Sequence, residues 1–256
     1  MQKAAPAIPI QKLLEQPYAT VLCYPRPTKK ELTKRVKELQ KLNITDISFQ
    51  GPKQLLNLHM LGKGCVGLVV LARLHGKKAA LKIRRVDADR PTMQHEAQML
   101  KQANSTNVGP KILAASRNFL IMQYLQGQTL EEWLKNHRER TEKKKVLREI
   151  LEQCWRLDQA GLDHGELGYA AKHVIISRKD KPTIVDFETA STNRHPANVT
   201  AISHYLFLGG VRPKTLGIPR NRQRLIETLR LYKKDRTRQN FEKVLRALFL
   251  DHVSVR

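Results

Sequence analysis

Gly62-Lys63-Gly64-Cys65-Val66-Gly67-Leu68-Val69 places three glycines in a G-x-G-x-x-G spacing. Glycine carries no side chain, so a backbone built from it can approach phosphate groups closely. Two chemistries use this spacing. A Rossmann turn would open into a helix, with an acid such as Asp87 on a ribose hydroxyl. A phosphate-covering hairpin would continue as a strand, with Val69 packed on an adenine ring. The residues after Gly67 are rich in Val and Leu and hold a His75-Gly76-Lys77 turn where the Rossmann helix would have to run, which favours the hairpin. Lys82, in Ala79-Ala80-Leu81-Lys82, supplies the fixed cation that bound phosphates require. Glu96, on the following helix, can orient Lys82 through an ion pair. Each residue taken singly has a plainer reading: a glycine-bearing hairpin, a surface lysine in a basic chain, a solvated helix acid.

The elements that must position these residues are legible from periodicity and punctuation. Pro6, Pro9, Pro17 and Pro25 give residues 1–26 an extended or loosely packed character. Thr28-x-x-Glu31 is a capping box, and Leu32, Val36 and Leu39 form a helical apolar stripe opposite a Lys/Arg-rich, solvated face. Gly67–Leu74 and Ala79–Ile83 read as two strands of a hairpin, Pro91–Ala103 as a helix with Met93, Ala97 and Leu100 on one face, and Ile112–Ala115 and Asn118–Tyr124 as two further strands. Beyond Gly127 the chain turns mainly helical. Thr129-x-x-Glu132 caps one helix, and Val146, Leu147, Ile150, Leu151, Cys154 and Leu157 mark a longer one. Val174–Ile176 and Thr183–Phe187 read as strands around an Arg178–Pro182 turn, and helices around Leu225–Tyr232 and Phe241–Phe249 close the chain. A β-rich first half and a helix-rich second half predict an α+β fold of two lobes with a cleft between them. The expected division is an N-terminal extension with one helix over 1–48, a β-rich lobe over 49–124, and a helical lobe over 125–256 with basic C-terminal helices.

Composition narrows the classes further. The chain has 256 residues with a formal net charge of +24, and 41% of them are hydrophobic. That is enough apolar content for a real core and excludes a disordered basic tail. The surface must be cationic, which suits nucleic acid, nucleotides or acidic proteins as partners. Residues 211–256 hold 13 Lys/Arg against 4 Asp/Glu, with Arg220, Arg222, Arg224, Arg230, Lys233, Lys234, Arg236 and Arg238 clustered around one helix and its exit. The plain reading is a solvated helix face, and the sharper one is a docking surface for RNA or a ribonucleoprotein through phosphate neutralisation. Aromatics are only 5% of the chain, so recognition by base stacking is not supported. The N-terminus lacks a continuous apolar run, no stretch is apolar enough for a bilayer, and nothing points to a membrane. Cys23, Cys65 and Cys154 have neither paired spacing nor an even count, which fits a reducing cytoplasm.

The order of motifs resembles the protein kinase superfamily over about residues 58–190: the Gly-rich loop, Ala-Ala-Leu-Lys82, helical Glu96, a Leu-Ile-Met-Gln-Tyr-Leu hinge, His164-Gly165-Glu166-Leu167 and Val185-Asp186-Phe187-Glu188. The resemblance implies a bilobal kinase-like fold and an ATP-dependent phosphotransferase, of Ser/Thr protein kinase type, using ATP with Mg2+ or Mn2+ on a protein substrate or on itself. ATP would be held by Gly62, Lys63, Gly64, Gly67, Val69, Ala80 and Lys82, with Met122 as gatekeeper and Gln123, Tyr124 and Leu125 giving backbone contacts to adenine. Lys82, Glu96 and Glu166 would form the catalytic set. Glu166 stands where an Asp normally accepts the substrate hydroxyl proton, and its carboxylate reaches one methylene further. Asp186 matches the family's metal-binding Asp. His173 stands where a metal-binding Asn is usual, free to ligate a metal, contact phosphate or serve structure; an imidazole suits manganese better than magnesium. Glu188 replaces the usual Gly. About seventy residues follow Asp186, too few for a full eukaryotic kinase lobe. The chain is therefore most similar to small microbial kinases: the RIO kinases, the kinase of the KEOPS complex, and predicted archaeal and cyanobacterial Ser/Thr kinases. Two alternatives stay open: a nucleotide-binding pseudokinase scaffold and an RNA-associated ATPase switch.

Overall fold

The computed structural model describes residues 6–209 and 221–251. Arg220 of the basic cluster lies outside them. The chain divides into two compact units, residues 1–98 with 111–124 and residues 99–110 with 125–256. The observed architecture is the α+β arrangement expected, with strands gathered in the first unit and helices in the second.

The first unit is built on a seven-stranded antiparallel sheet. Its strands are β1 (Ala7–Pro9), β2 (Ile44–Ser48), β5 (Gly62–Lys63), β6 (Gly67–Leu74), β7 (Lys77–Arg84), β8 (Ile112–Ala115) and β9 (Phe119–Gln123). The spatial order is β1-β2-β6-β7-β9-β8, with β5 also paired to β6. A separate hairpin joins β3 (Lys53–Leu55) to β4 (Leu58–Met60). Residues 7–48 contribute more than the one helix read from the sequence. A 3-10 turn (Ile10–Leu14) and the short helix α1 (Tyr18–Leu22) precede α2 (Lys29–Lys41), and β1 and β2 join the main sheet. Thr28 caps α2 by accepting the Glu31 N–H, and Leu32, Val36 and Leu39 bury its apolar stripe. They pack into one core with Leu68, Val70, Leu81, Ile83, Phe119 and Ile121.

The polar face of α2 is not wholly solvated. Arg35 is fully buried. Its guanidinium donates to the Leu22 carbonyl (2.8 Å), the Arg84 carbonyl (2.5 Å), Asn118 Oδ1 (3.2 Å) and Glu31 Oε1 (3.0 Å). Asn118 in turn donates from its backbone and side chain to Glu38 of α2. A buried cation is tolerated when its donors are all engaged, and here that engagement fastens α2 to the end of β7 and the β8–β9 turn.

The helix α3 (Gln94–Ser105) begins in the first unit and ends in the second. The second unit then holds a three-stranded sheet of β10 (Gly127–Thr129), β11 (Val174–Ser177) and β12 (Pro182–Ile184). Among the described residues its α-helices are α4 (Leu130–Asn136), α5 (Arg140–Gln159), α6 (Asn198–Ser203), which runs on as a π-helical turn over His204–Leu208, α7 (Arg222–Lys234) and α8 (Arg238–Ala247). Thr129 and Glu132 complete the capping box at α4. Val146, Leu147, Ile150, Leu151, Cys154 and Leu157 all lie on the buried face of α5. The strand expected over Thr183–Phe187 ends at Ile184, because Asp186 adopts a left-handed backbone (φ +71°) that breaks the extended run. Among the described residues no helix is long and apolar enough to cross a membrane, and all three cysteines are free.

Candidate functional site

The glycine-rich segment of the first unit is a hairpin. Gly62 pairs with Val69 and Lys63 with Leu68, and the Gly64 N–H donates to the Gly67 carbonyl at 2.9 Å. No helix follows, so the Rossmann alternative falls. Asp87, its candidate ribose acid, is held instead by Arg85 at 2.7–2.8 Å. Arg85 also donates to the Gly64 carbonyl (3.2 Å) and stacks over Tyr24, while Lys63 lies over the same ring. A Cβ at Gly67 would meet the Ile83 carbonyl oxygen at 2.9 Å and Lys82 Cγ at 3.1 Å. Glycine there lets β6 pass close over Lys82.

Strand register places the expected nucleotide residues together. Directly opposed residues of an antiparallel pair share a face. Val69 and Leu120 oppose Lys82, and Met122 opposes Ala80. Val69, Ala80, Lys82 and Met122 therefore project from one face of the sheet. Lys82 Nζ contacts Glu96 Oε1 at 2.9 Å, with both side chains buried. Gln123 falls on the other face, opposite Ala79, and its N–H donates to the Lys111 carbonyl. Tyr124 ends the first unit, whereas Leu125 belongs to the second and is not part of this grouping.

The second unit brings Glu166, His173 and Asp186 together. Glu166 precedes a 3-10 segment (Leu167–Lys172), and His173 follows it. His173 is buried, with Nε2 3.0 Å from Glu166 Oε2 and Nδ1 3.8 Å from Asp186 Oδ2. Ligand atoms of all three lie within 4.8 Å of one another. Two carboxylates and an imidazole are a donor set that fits a divalent cation, and the nitrogen favours manganese over magnesium. When bound, such a cation neutralises phosphate charge.

His164 holds the loop that carries Glu166. It is fully buried. Its Nε2–H donates to the Val185 carbonyl (3.1 Å), and Nδ1 accepts the Glu166 N–H (3.4 Å). These roles define the neutral tautomer. Burial, reinforced by the nearby His173, pushes the His164 pKa down to about 4. Its ring meets Phe187 edge to face at 5.0 Å. Gly165 has φ +87°, and a Cβ there would strike Arg194 Nη2 at 2.7 Å and Thr189 Oγ1 at 3.0 Å. Asn198 accepts the His164 N–H and donates to Asp158 and Leu162. Asp158 is a buried carboxylate that also takes the Tyr232 hydroxyl (2.9 Å) and two backbone N–H groups. Burial raises its pKa despite these donors.

The sequence matches the RIO domain family over residues 72–204, just over half of the chain. The chain belongs to the RIO domain family. No curated protein matches it. RIO membership makes this an atypical member of the kinase superfamily, a group that in general uses ATP and a divalent metal. The matched span contains Lys82, Glu96, Glu166, His173 and Asp186, and it begins within β6, past the last glycine of the glycine-rich segment.

Sequence reasoning singles out Glu166 and His173 but misses what holds them. His164 is visible as a motif letter, yet its neutral tautomer depends on Val185, which only the fold brings near. Asn198 reads as a glycosylation sequon whose match is accidental, and its side chain is in fact buried under Asp158 and His164.

Proposed function

We propose that this RIO-family chain is an ATP-dependent phosphotransferase, an atypical Ser/Thr protein kinase acting on a protein substrate or on itself. The observation that carries the reading is the Glu166–His173–Asp186 cluster. In this reading Glu166 accepts the proton of a substrate hydroxyl. The oxygen bonds to the γ-phosphorus while its bond to the β–γ bridging oxygen breaks, and ADP leaves. His173, 3.0 Å from Glu166, orients the carboxylate. Asp186, with His173, would hold the cation. The pairing of Lys82 with Glu96 on the face shared by Val69, Ala80 and Met122 supports nucleotide binding in the first unit, with Lys82 on the α/β phosphates.

The test is transfer of labelled γ-phosphate from ATP to the protein and to a generic acceptor, with magnesium and manganese compared. Glu166→Gln is expected to lower transfer by roughly 10²–10⁴-fold with nucleotide binding retained. Lys82→Ala is expected to abolish both. A wild-type protein that binds ATP but transfers nothing under either metal would overturn the reading. A second reading, a nucleotide-binding pseudokinase scaffold, is favoured by one observation: the Glu166 carboxylate is already engaged by His173. ATP binding without turnover would select it. Phosphate release stimulated by RNA, without protein labelling, would instead select an RNA-associated ATPase switch. We also propose that the basic residues of α7 and its exit dock RNA or a ribonucleoprotein through phosphate contacts.

A further inference from the structure

A second cluster of ligand-type side chains lies in the helical unit, formed by segments that the phosphotransfer reading does not use. His137 follows the last residue of α4, Asp180 sits in the β11–β12 turn, and Glu142 lies in the first turn of α5. One ligand atom from each lies within 4.8 Å of the others. The tautomer of His137 is fixed by its partner. Nδ1 is 3.1 Å from the Trp133 carbonyl, which can only accept, so Nδ1 carries the proton. In the neutral ring Nε2 then presents its lone pair. It faces Asp180 Oδ1 at 3.7 Å, too far for a hydrogen bond.

Asp180 Oδ1 is itself held by the Trp133 indole N–H at 2.7 Å. Trp133 is fully buried and stacks on the His137 ring at 4.3 Å. One rigid residue thus aims both the imidazole and the carboxylate. This is how metal-ligating histidines and carboxylates are usually supported from behind. Two electron-pair donors held face to face call for a cation between them. Tetrahedral zinc, with ligands at about 2.0–2.1 Å, needs neighbouring donors about 3.4 Å apart, which the 3.7 Å spacing approaches. Glu142 is exposed and unconstrained by packing, so it can close on the ion.

We propose that His137, Asp180 and Glu142 form a zinc site, completed by water, that ties the end of α4 and the start of α5 to the β11–β12 turn. Imidazole with carboxylates is a donor set that zinc accepts readily. The site rests on none of the residues assigned to phosphotransfer.

The test is titration of the full chain with Zn2+ alone, followed by calorimetry, with Co2+ as a spectroscopic substitute. One equivalent beyond any held at the Glu166–His173–Asp186 cluster is expected to bind, to give tetrahedral Co2+ absorption and to alter Trp133 fluorescence. His137→Ala should weaken this equivalent at least tenfold. His173→Ala should leave it in place, which separates it from the Glu166–His173–Asp186 cluster. Asp180→Asn keeps an acceptor for Trp133, and Glu142→Gln changes only an exposed side chain, so both should fold and both should weaken binding. Zinc binding unchanged in His137→Ala, or weakened there but not in the two carboxylate variants, would overturn the site. Absence of binding by the wild type would reduce the contact to a bare His–Asp pair and overturn it equally.

Discussion

In the proposed phosphotransfer Glu166 serves as base only if its carboxylate is held at one place, and the residue that sets its loop is His164. That imidazole is neutral in the folded protein. Its pKa is about 4, against 6.5 for an unperturbed histidine. Between these values the unfolded chain binds a proton that the folded chain refuses. Stability is therefore fully present above about pH 6.5 and falls as pH drops toward 4, by up to about 3 kcal/mol. Urea unfolding at pH 7 and pH 4.5 should show the loss, and His164→Gln should flatten it. Gly165 is a second point of tension. Gly165→Ala forces a side chain into a left-handed backbone against Arg194 and Thr189. The expected cost is about 1–3 kcal/mol, read as a lower unfolding midpoint together with, under the proposed function, reduced phosphate transfer. The residue scale is also where the sequence is least forthcoming. Lys82, Glu96, Glu166, His173 and Asp186 stand out by motif order. His137 and Asp180 do not, because 42 positions lie between them and only the strand turn returns the second to the first.

Elements were largely legible because their signals are local. Thr28 and Thr129 cap helices where their spacing to Glu31 and Glu132 says they must. The apolar stripe of α5 is the face that the fold buries. One misreading comes from a residue whose type points to solvent while its partners lie far along the chain. Arg35 belongs to the polar side of α2 by any hydropathy scale, yet it is buried against Leu22, Arg84 and Asn118. Arg35→Met is expected to destabilise the protein by about 3 kcal/mol, since it leaves buried acceptors without their cation; a denaturant midpoint measures it. Asp158 plays the matching part in the second unit, where it joins α5, α6 and α7. Tyr232→Phe removes one hydroxyl and nothing else. A hydrogen bond to a buried carboxylate of this kind is worth about 2 kcal/mol, and equilibrium unfolding should show that loss.

Over the whole molecule, charge is the property that any assay meets first. A net charge of +24 on 256 residues makes association with polyanions strongly dependent on salt. If the α7 region docks RNA as proposed, affinity for an unstructured RNA should fall linearly on a log–log plot against salt. The slope should be about −0.7 per phosphate contacted, and replacing Arg222, Arg224 and Arg230 with Ala should shallow it by about two. An affinity indifferent to salt would remove the proposal. The Arg35 tether also bears on how the chain is made. Asn118 lies 83 residues beyond Arg35. At translation rates of about 5–20 residues per second, it leaves the ribosome roughly 4–17 s later. Over that interval α2 has its apolar stripe, its arginine and the Leu22 carbonyl, but the Arg84 carbonyl arrives only part-way, and β9 and Asn118, which complete the cover, only at the end. Nascent chains stalled before Asn118 should therefore recruit chaperones and yield to protease within residues 29–41, and chains stalled well beyond it should resist.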